Sequence, residues 1–193
     1  MNKTRKLTGL ALLTAIVFAL QFLAVVIPIR VGPFSVSLVL LPIVLGAALY
    51  GPAAAAWLGL VFSLAVLFSG DAGPFMAVNP LGAIFTVIAK GVAAGFVGGL
   101  VYRLFEKKNR YFATVAAAVI TPFTNTFIFI LGCLAFFMET IEGWAGASGY
   151  EGSAVSFIVF GMIGLNFIFE ILTNAILSPT VLRLINYRKK DKP

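Results

Sequence analysis

The chain has 193 residues, 61% of them hydrophobic and only 11% charged, with a formal net charge of +7. Soluble domains run near a quarter charged and disordered chains lack the apolar excess, so both classes are excluded and a polytopic membrane protein remains. Histidine is absent and Cys133 is the one cysteine; this removes histidine acid–base and triad chemistry, an internal disulfide, and the usual zinc, haem and iron–sulfur ligand sets.

At about 20 apolar residues per span, the sequence predicts an all-α polytopic domain over 1–193 with six transmembrane helices. The first apolar run, 7–29, is too long for a signal-peptide core and has no cleavage site after it. The next 35 residues are apolar and break at Gly51-Pro52. They give spans at 35–50 and 52–69, with Pro52 at a first helical position and Pro42 marking a kink or unwound segment in the shorter one. A loop over 70–80 leads to span 81–102. A basic run, 103–110, precedes span 112–137, which contains Pro122. A polar loop follows, then span 156–182 and a basic tail.

Charge orients these spans. Lys3, Arg5 and Lys6, then Arg103, Lys107, Lys108 and Arg110, then Arg183, Arg188, Lys189, Lys190 and Lys192 fall on one side. The other side holds Arg30 with Asp71, Glu139, Glu142 and Glu151. The positive-inside rule therefore places both termini in the cytoplasm. The net charge reads as flanks beside an anionic leaflet, not as a nucleic-acid surface.

Two ionisable residues lie within spans, Lys90 and Glu170. Each is costly in hydrocarbon, so each should face the bundle interior. Asn166, Glu170 and Asn174 repeat every four residues and share a helical face; Thr121, Thr124, Asn125 and Thr126 add polarity to the fifth span. One reading is a buried Lys90–Glu170 pair, with the asparagines as interhelical glue. The other is a pocket for a polar solute. The two are compatible. Small residues recur at Ala11, Ala15 and Ala19 and at Gly91 and Gly95, a spacing that lets helices approach closely. The phenylalanines chiefly face lipid or fill the core, and Tyr50, Trp57 and Trp144 suit interface anchors. There is no Walker A sequence, no visible inverted repeat and no arginine series. The residues describe a small six-span protein with a polar inner face, able to bind a solute but with no visible energy source.

Several segments together resemble a family. K-L-T-G-L-A-L-L-T-A at 6–15, L-P-I-V-L-G-A-A-L-Y-G-P at 41–52 with A-A-A-A-W-L-G-L-V-F-S-L after it, and A-K-G-V-A-A-G-F-V-G-G-L at 89–100 are similar to the S components of energy-coupling factor (ECF) vitamin transporters. So are T-N-T around Asn125 and N-F-I-F-E-I-L-T-N at 166–174. The resemblance covers nearly the whole chain. It implies a non-enzymatic bacterial cell-membrane protein that binds a vitamin or related micronutrient from outside. It also implies partners: a transmembrane coupling subunit and two cytoplasmic ATPases, with no cofactor or metal. The family's small-residue motif for the coupling subunit matches Ala11 and Ala15. The ligand is expected in the extracellular half, under the loops after spans 1, 3 and 5. The candidate contacts are Arg30, Phe75, Asn79, Lys90, Asn125, Trp144 and Asn166, with Glu170 and Asn174 as a polar lock beneath. Arg30 and Lys90 suit an anionic group. Pantothenate leads as substrate, with riboflavin as the alternative because phenylalanine-rich surroundings suit a flavin ring. A tryptophan cluster of the thiamine type is missing. Two rivals from other classes are an intramembrane lipid-modifying enzyme using Lys90 and Glu170, which lacks a metal motif, and a ligand-free structural subunit.

Overall fold

An apolar run of bilayer length leaves the backbone no hydrogen-bonding partner but itself, so it folds as a helix. The structure, a computed structural model, describes residues 3–26, 30–31, 34–35 and 39–190. Helix α1 spans Lys3–Val26; the expected end of its span, 27–29, lies outside the described residues. Two short strands, β1 (Arg30–Val31) and β2 (Phe34–Ser35), then pair antiparallel with Arg30 opposite Ser35. Helix α2 covers Leu40–Tyr50 and α3 covers Pro52–Ser69, joined at Gly51, whose φ of 93° favours glycine. A short helix α4 (Gly73–Val78) precedes α5 (Pro80–Phe105) and α6 (Arg110–Phe136). Beyond them come α7 (Met138–Ala147), α8 (Ala154–Ser156), a π-helical stretch (Phe157–Ile163) and α9 (Gly164–Lys190).

Among the described residues five helices are long and apolar enough to cross a membrane: α1, α3, α5, α6 and, over Phe167–Tyr187, α9. The expected span over 35–50 differs. It is helical only from Leu40, 11 residues in all, which at ~1.5 Å per residue covers about half of a ~30 Å hydrocarbon core. Pro42 is its third residue. An N–H in the first turn has no intrahelical acceptor, so the helix starts across the proline instead of unwinding at it. The last span also differs. Its outer end is π-helical and meets α9 at Gly164 (φ 36°). Its inner end runs past 182, because Val181 and Ile185 are still buried against the bundle. The loops over 70–80 and 138–155 contain helices α4 and α7.

Helix α5 is the axis of the packing. One of its faces carries Gly91, Gly95 and Gly99, each a turn apart. A Cβ on Gly91 would strike the Gly59 carbonyl, one on Gly95 the Ala55 carbonyl, and one on Gly99 the backbone of Pro52. All three targets lie on α3. The buried Ser63 hydroxyl fastens the same seam, donating to the Gly59 and Val87 carbonyls at 3.0 and 2.7 Å. A second face meets α6, where Gly98 receives Thr121 and Gly132 of α6 receives Thr86. Helix α1 lies along the bundle on a line of Gly9, Leu13, Val17 and Gln21. Trp57 is not a free anchor: its indole N–H donates to the Thr14 hydroxyl at 3.2 Å.

Alternating helix directions sort the two ends. Tyr102, Ala113, Ala117, Val181 and Ile185 close one end with Val44 and Ala48, beside Arg103, Lys107, Lys108 and Arg110. Ala83, Cys133, Phe137, Ile141 and Ile158 form the core of the other, beside Asp71, Glu139 and Glu142.

Gly91→Val should therefore force α3 and α5 apart, destabilising by about 3 kcal/mol, the upper range of overpacking. Thermal unfolding in detergent would measure it. Gly143→Ala, at a helical glycine with open space around it, should leave the midpoint unchanged or slightly raised.

Candidate functional site

The face of α5 that carries Lys90 looks toward α6. On α6, Asn125, Phe129 and Cys133 recur every four residues and so share a face. The Lys90 Nζ stands 5.1 Å from the centroid of the Phe129 ring, a distance at which an ammonium is drawn to the π face. Lys90 is half-buried, not sealed in the core. One turn below Phe129, the Asn125 Oδ1 is buried and without a hydrogen-bond partner, as is the Thr86 hydroxyl one turn above Lys90. A buried acceptor without a donor is a place for a ligand group or an ordered water.

Aromatic rings close over this lysine from the acidic end. Phe75 of α4 meets Phe129, Phe137 and Trp144 edge to face, with centroids 5.5, 5.0 and 5.4 Å apart. Such contacts add stabilisation beyond the area they bury. The turns after α3 and α6 thus meet on one ring. Trp144, expected as an interface anchor, is instead half-buried in this cluster.

Electrostatics come from two directions. The carboxylates acting on Lys90 are Asp71, before α4, and Glu170, on α9. Glu170 is buried. Among the described residues no salt bridge within 4.0 Å joins Lys90 to either carboxylate, so of the two readings of Lys90 and Glu170 the direct ion pair is not seen. The Asn174 amide donates to the Glu170 carbonyl at 2.8 Å within α9, and its Oδ1 is buried without a partner. These two residues stack below the site on one helical face. Neither hydrogen-bonds to another helix among the described residues.

Of the predicted contacts, Phe75 and Lys90 both meet Phe129 and Trp144 meets Phe75, with Asn125 one turn beneath Phe129. Asn79 has a different task. Its Oδ1 accepts the Gly82 N–H at 3.0 Å and caps α5. Arg30 lies in β1 and Asn166 in α9, and their side chains lie outside the described residues. Phe129, Phe137, Asp71 and Gln21 were not anticipated. Phe129 was within reach of sequence reasoning, because it stands one turn from Asn125. Gln21 is the buried polar residue of α1, and its amide donates to Asp71 at 3.3 Å.

A separate groove of about 580 Å³ lies between α6 and the π-helix–α9 joint, lined by Phe127, Ile130, Phe160, Ile163 and Phe167 among others. None of the candidate residues whose side chains are described lines it. Among the described residues no cluster of three metal-ligating side chains exists.

Lys90→Met should change the unfolding free energy by only about 1 kcal/mol, because no direct salt bridge is broken and Asp71 and Glu170 act on the lysine only from a distance. Removing one member of a buried pair costs ~3–5 kcal/mol. A drop of that larger size on thermal unfolding would establish a direct ion pair instead.

The sequence matches the family model of the ECF transporter, substrate-specific component, over residues 5–182. No curated protein matches it at a significant level. The fold is similar to that of ThiT from Listeria monocytogenes, with a TM-score of 0.68 and 22% identity over 93% of this chain and 96% of that one.

Proposed function

The chain belongs to the family of ECF transporter substrate-specific components, and from that premise we propose that it captures a vitamin-type ligand carrying an anionic group at the Lys90–Phe129 site. Members of this family are substrate-binding subunits of a transporter and not enzymes, so the rival lipid-modifying reading falls away. The observation that carries the proposal is Lys90 itself: a half-buried cation in a helix of bilayer length, placed over an aromatic ring and without a salt-bridge partner among the described residues. A carboxylate or phosphate on a solute would complete it. The unpartnered Asn125 Oδ1 calls for a hydroxyl or amide donor on the same solute. Pantothenate carries a carboxylate, hydroxyls and an amide, and is our leading substrate. Riboflavin is the second reading, favoured by the Phe75–Phe129–Trp144 rings, which suit a flavin.

The wider assembly follows from the family. Basic residues at one end support a reading in which that end and both termini face the cytoplasm of a bacterial cell. The site then opens outward. Ala11 and Ala15 are exposed, on the side of α1 away from its buried line of Leu13 and Val17. That exposure supports these residues as the close-approach surface for the coupling subunit, which would work with two cytoplasmic ATPases.

Native mass spectrometry of the chain purified from rich medium, followed by titration with pantothenate and riboflavin, tests the substrate. Lys90→Ala and Asn125→Ala should each weaken binding about tenfold or more, the effect of losing a buried polar contact, with the fold retained. Unchanged affinity in both variants would sink the site assignment. Ala11→Trp and Ala15→Trp should bind normally yet abolish uptake into cells holding the ATPase module. Normal uptake in both would refute the docking surface.

A further inference from the structure

Helix α1 is apolar over most of its length, yet the last residue of its buried line is Gln21, only 3% exposed. Neither lipid nor the aliphatic neighbours of α1 can hydrogen-bond an amide. Its Nε2 finds the Asp71 Oδ2, 50 residues away in sequence. Asp71 stands in the turn that begins at Gly70, whose φ of 81° ends α3, and runs into α4. That turn is tight: the Gly73 N–H donates to the Gly70 carbonyl and the Met76 N–H to that of Ala72, both at 2.9 Å. Four residues beyond Asp71 comes Phe75, the ring that touches Phe129, Phe137 and Trp144.

Helix α4 is held to the bundle by the Phe75 and Met76 side chains, and the turns at its two ends set where it lies. It is six residues long and buries none of them, too short to be stable alone. Its rear end is fixed by the Asn79 cap on α5, and its front end by Asp71. Asp71 is also one of the two carboxylates that act on Lys90. A single hydrogen bond thus ties to α1 the turn that leads into the aromatic cover and supplies one of the anionic neighbours of the lysine.

We propose that Gln21 and Asp71 are positioning residues for the solute site, their hydrogen bond holding the α4 cover and its Phe75 ring to helix α1. The proposal takes its purpose from the function assigned above, but the bond can be tested with no solute present. It also gives α1 two tasks at opposite ends: Ala11 and Ala15 face outward near its start, and Gln21 grips the cover near its end.

The test reads Trp144. The chain has two tryptophans, so Trp57→Phe leaves Trp144 alone against Phe75. Acrylamide quenching of its emission is measured in lipid nanodiscs. Gln21→Leu and Asp71→Leu should each raise the quenching constant about twofold, as the cover loses a charge-assisted hydrogen bond. Asp71→Asn keeps an acceptor oxygen and should remain at the parent value. The double variant Gln21→Leu/Asp71→Leu should exceed neither single variant, as expected for two residues that act through one bond. Thermal unfolding checks that each variant is folded, and Asp71, being exposed, supplies a fold-tolerant variant if Gln21→Leu is not. Unchanged quenching in the folded leucine variants, or an additive double variant, overturns the proposal. Failure to bind pantothenate or riboflavin would count against the assigned function and leave this readout intact.

Discussion

The close approach of α5 to both of its neighbours governs everything placed around it. Where Gly91, Gly95 and Gly99 stand, a methyl group would strike a carbonyl or a proline ring on α3. In lipid no hydrophobic force pulls helices together, so contact between backbones must supply the attraction. The opposite seam uses the same device with the roles divided, glycine on one helix and threonine on the other. A helix gripped on two sides has its azimuth fixed. Lys90 then has one direction in which to point, toward the α6 face that carries Phe129.

This placement explains how a cation can stay in a bundle without a direct ion pair. The ammonium has the face of a ring on one side and two carboxylates acting from farther away. Long-range attraction lowers the penalty of burial, and it leaves the hydrogen-bonding positions of the ammonium open to a ligand. A tight salt bridge would have filled them. The unpartnered Asn125 oxygen fits the same arrangement. On the proposed function, these groups stand ready before a solute arrives, which would reduce the ordering that capture requires.

Much of this was legible in the residues. Composition alone identified a membrane protein, the Gly51-Pro52 break separated α2 from α3, and the spacing of Gly91 and Gly95 marked a packing face. Lys90 and Glu170 stood out because hydrocarbon tolerates charge poorly. What could not be read were relations across distant segments. The length of α2 is an example: the residues before Leu40 are apolar but pair as strands or lie outside the described region, and hydropathy does not distinguish these states. Trp144 and Phe75 look like an interface anchor and a loop residue until the turns that carry them meet. Gln21 in an apolar helix was visible as a letter. Its meaning depended on Asp71, and no periodicity links residues 50 apart. Asn79 shows the opposite case. An asparagine before proline at a helix start is a cap by local rules, and the local role is the one the structure gives it.

The apolar cluster at the basic end carries a consequence for the membrane as a barrier. Tyr102, Ala113, Ala117, Val181 and Ile185 close off that end of the bundle, and the ionisable side chain buried in α9, Glu170, lies several turns away from it. Apolar packing of this kind resists the passage of water, and hydrophobic constrictions block ions by dewetting. On the proposed function, a solute held beside Lys90 would leave toward this end only if the whole bundle tipped or the packing there were pulled apart, and either movement would take work from outside the chain.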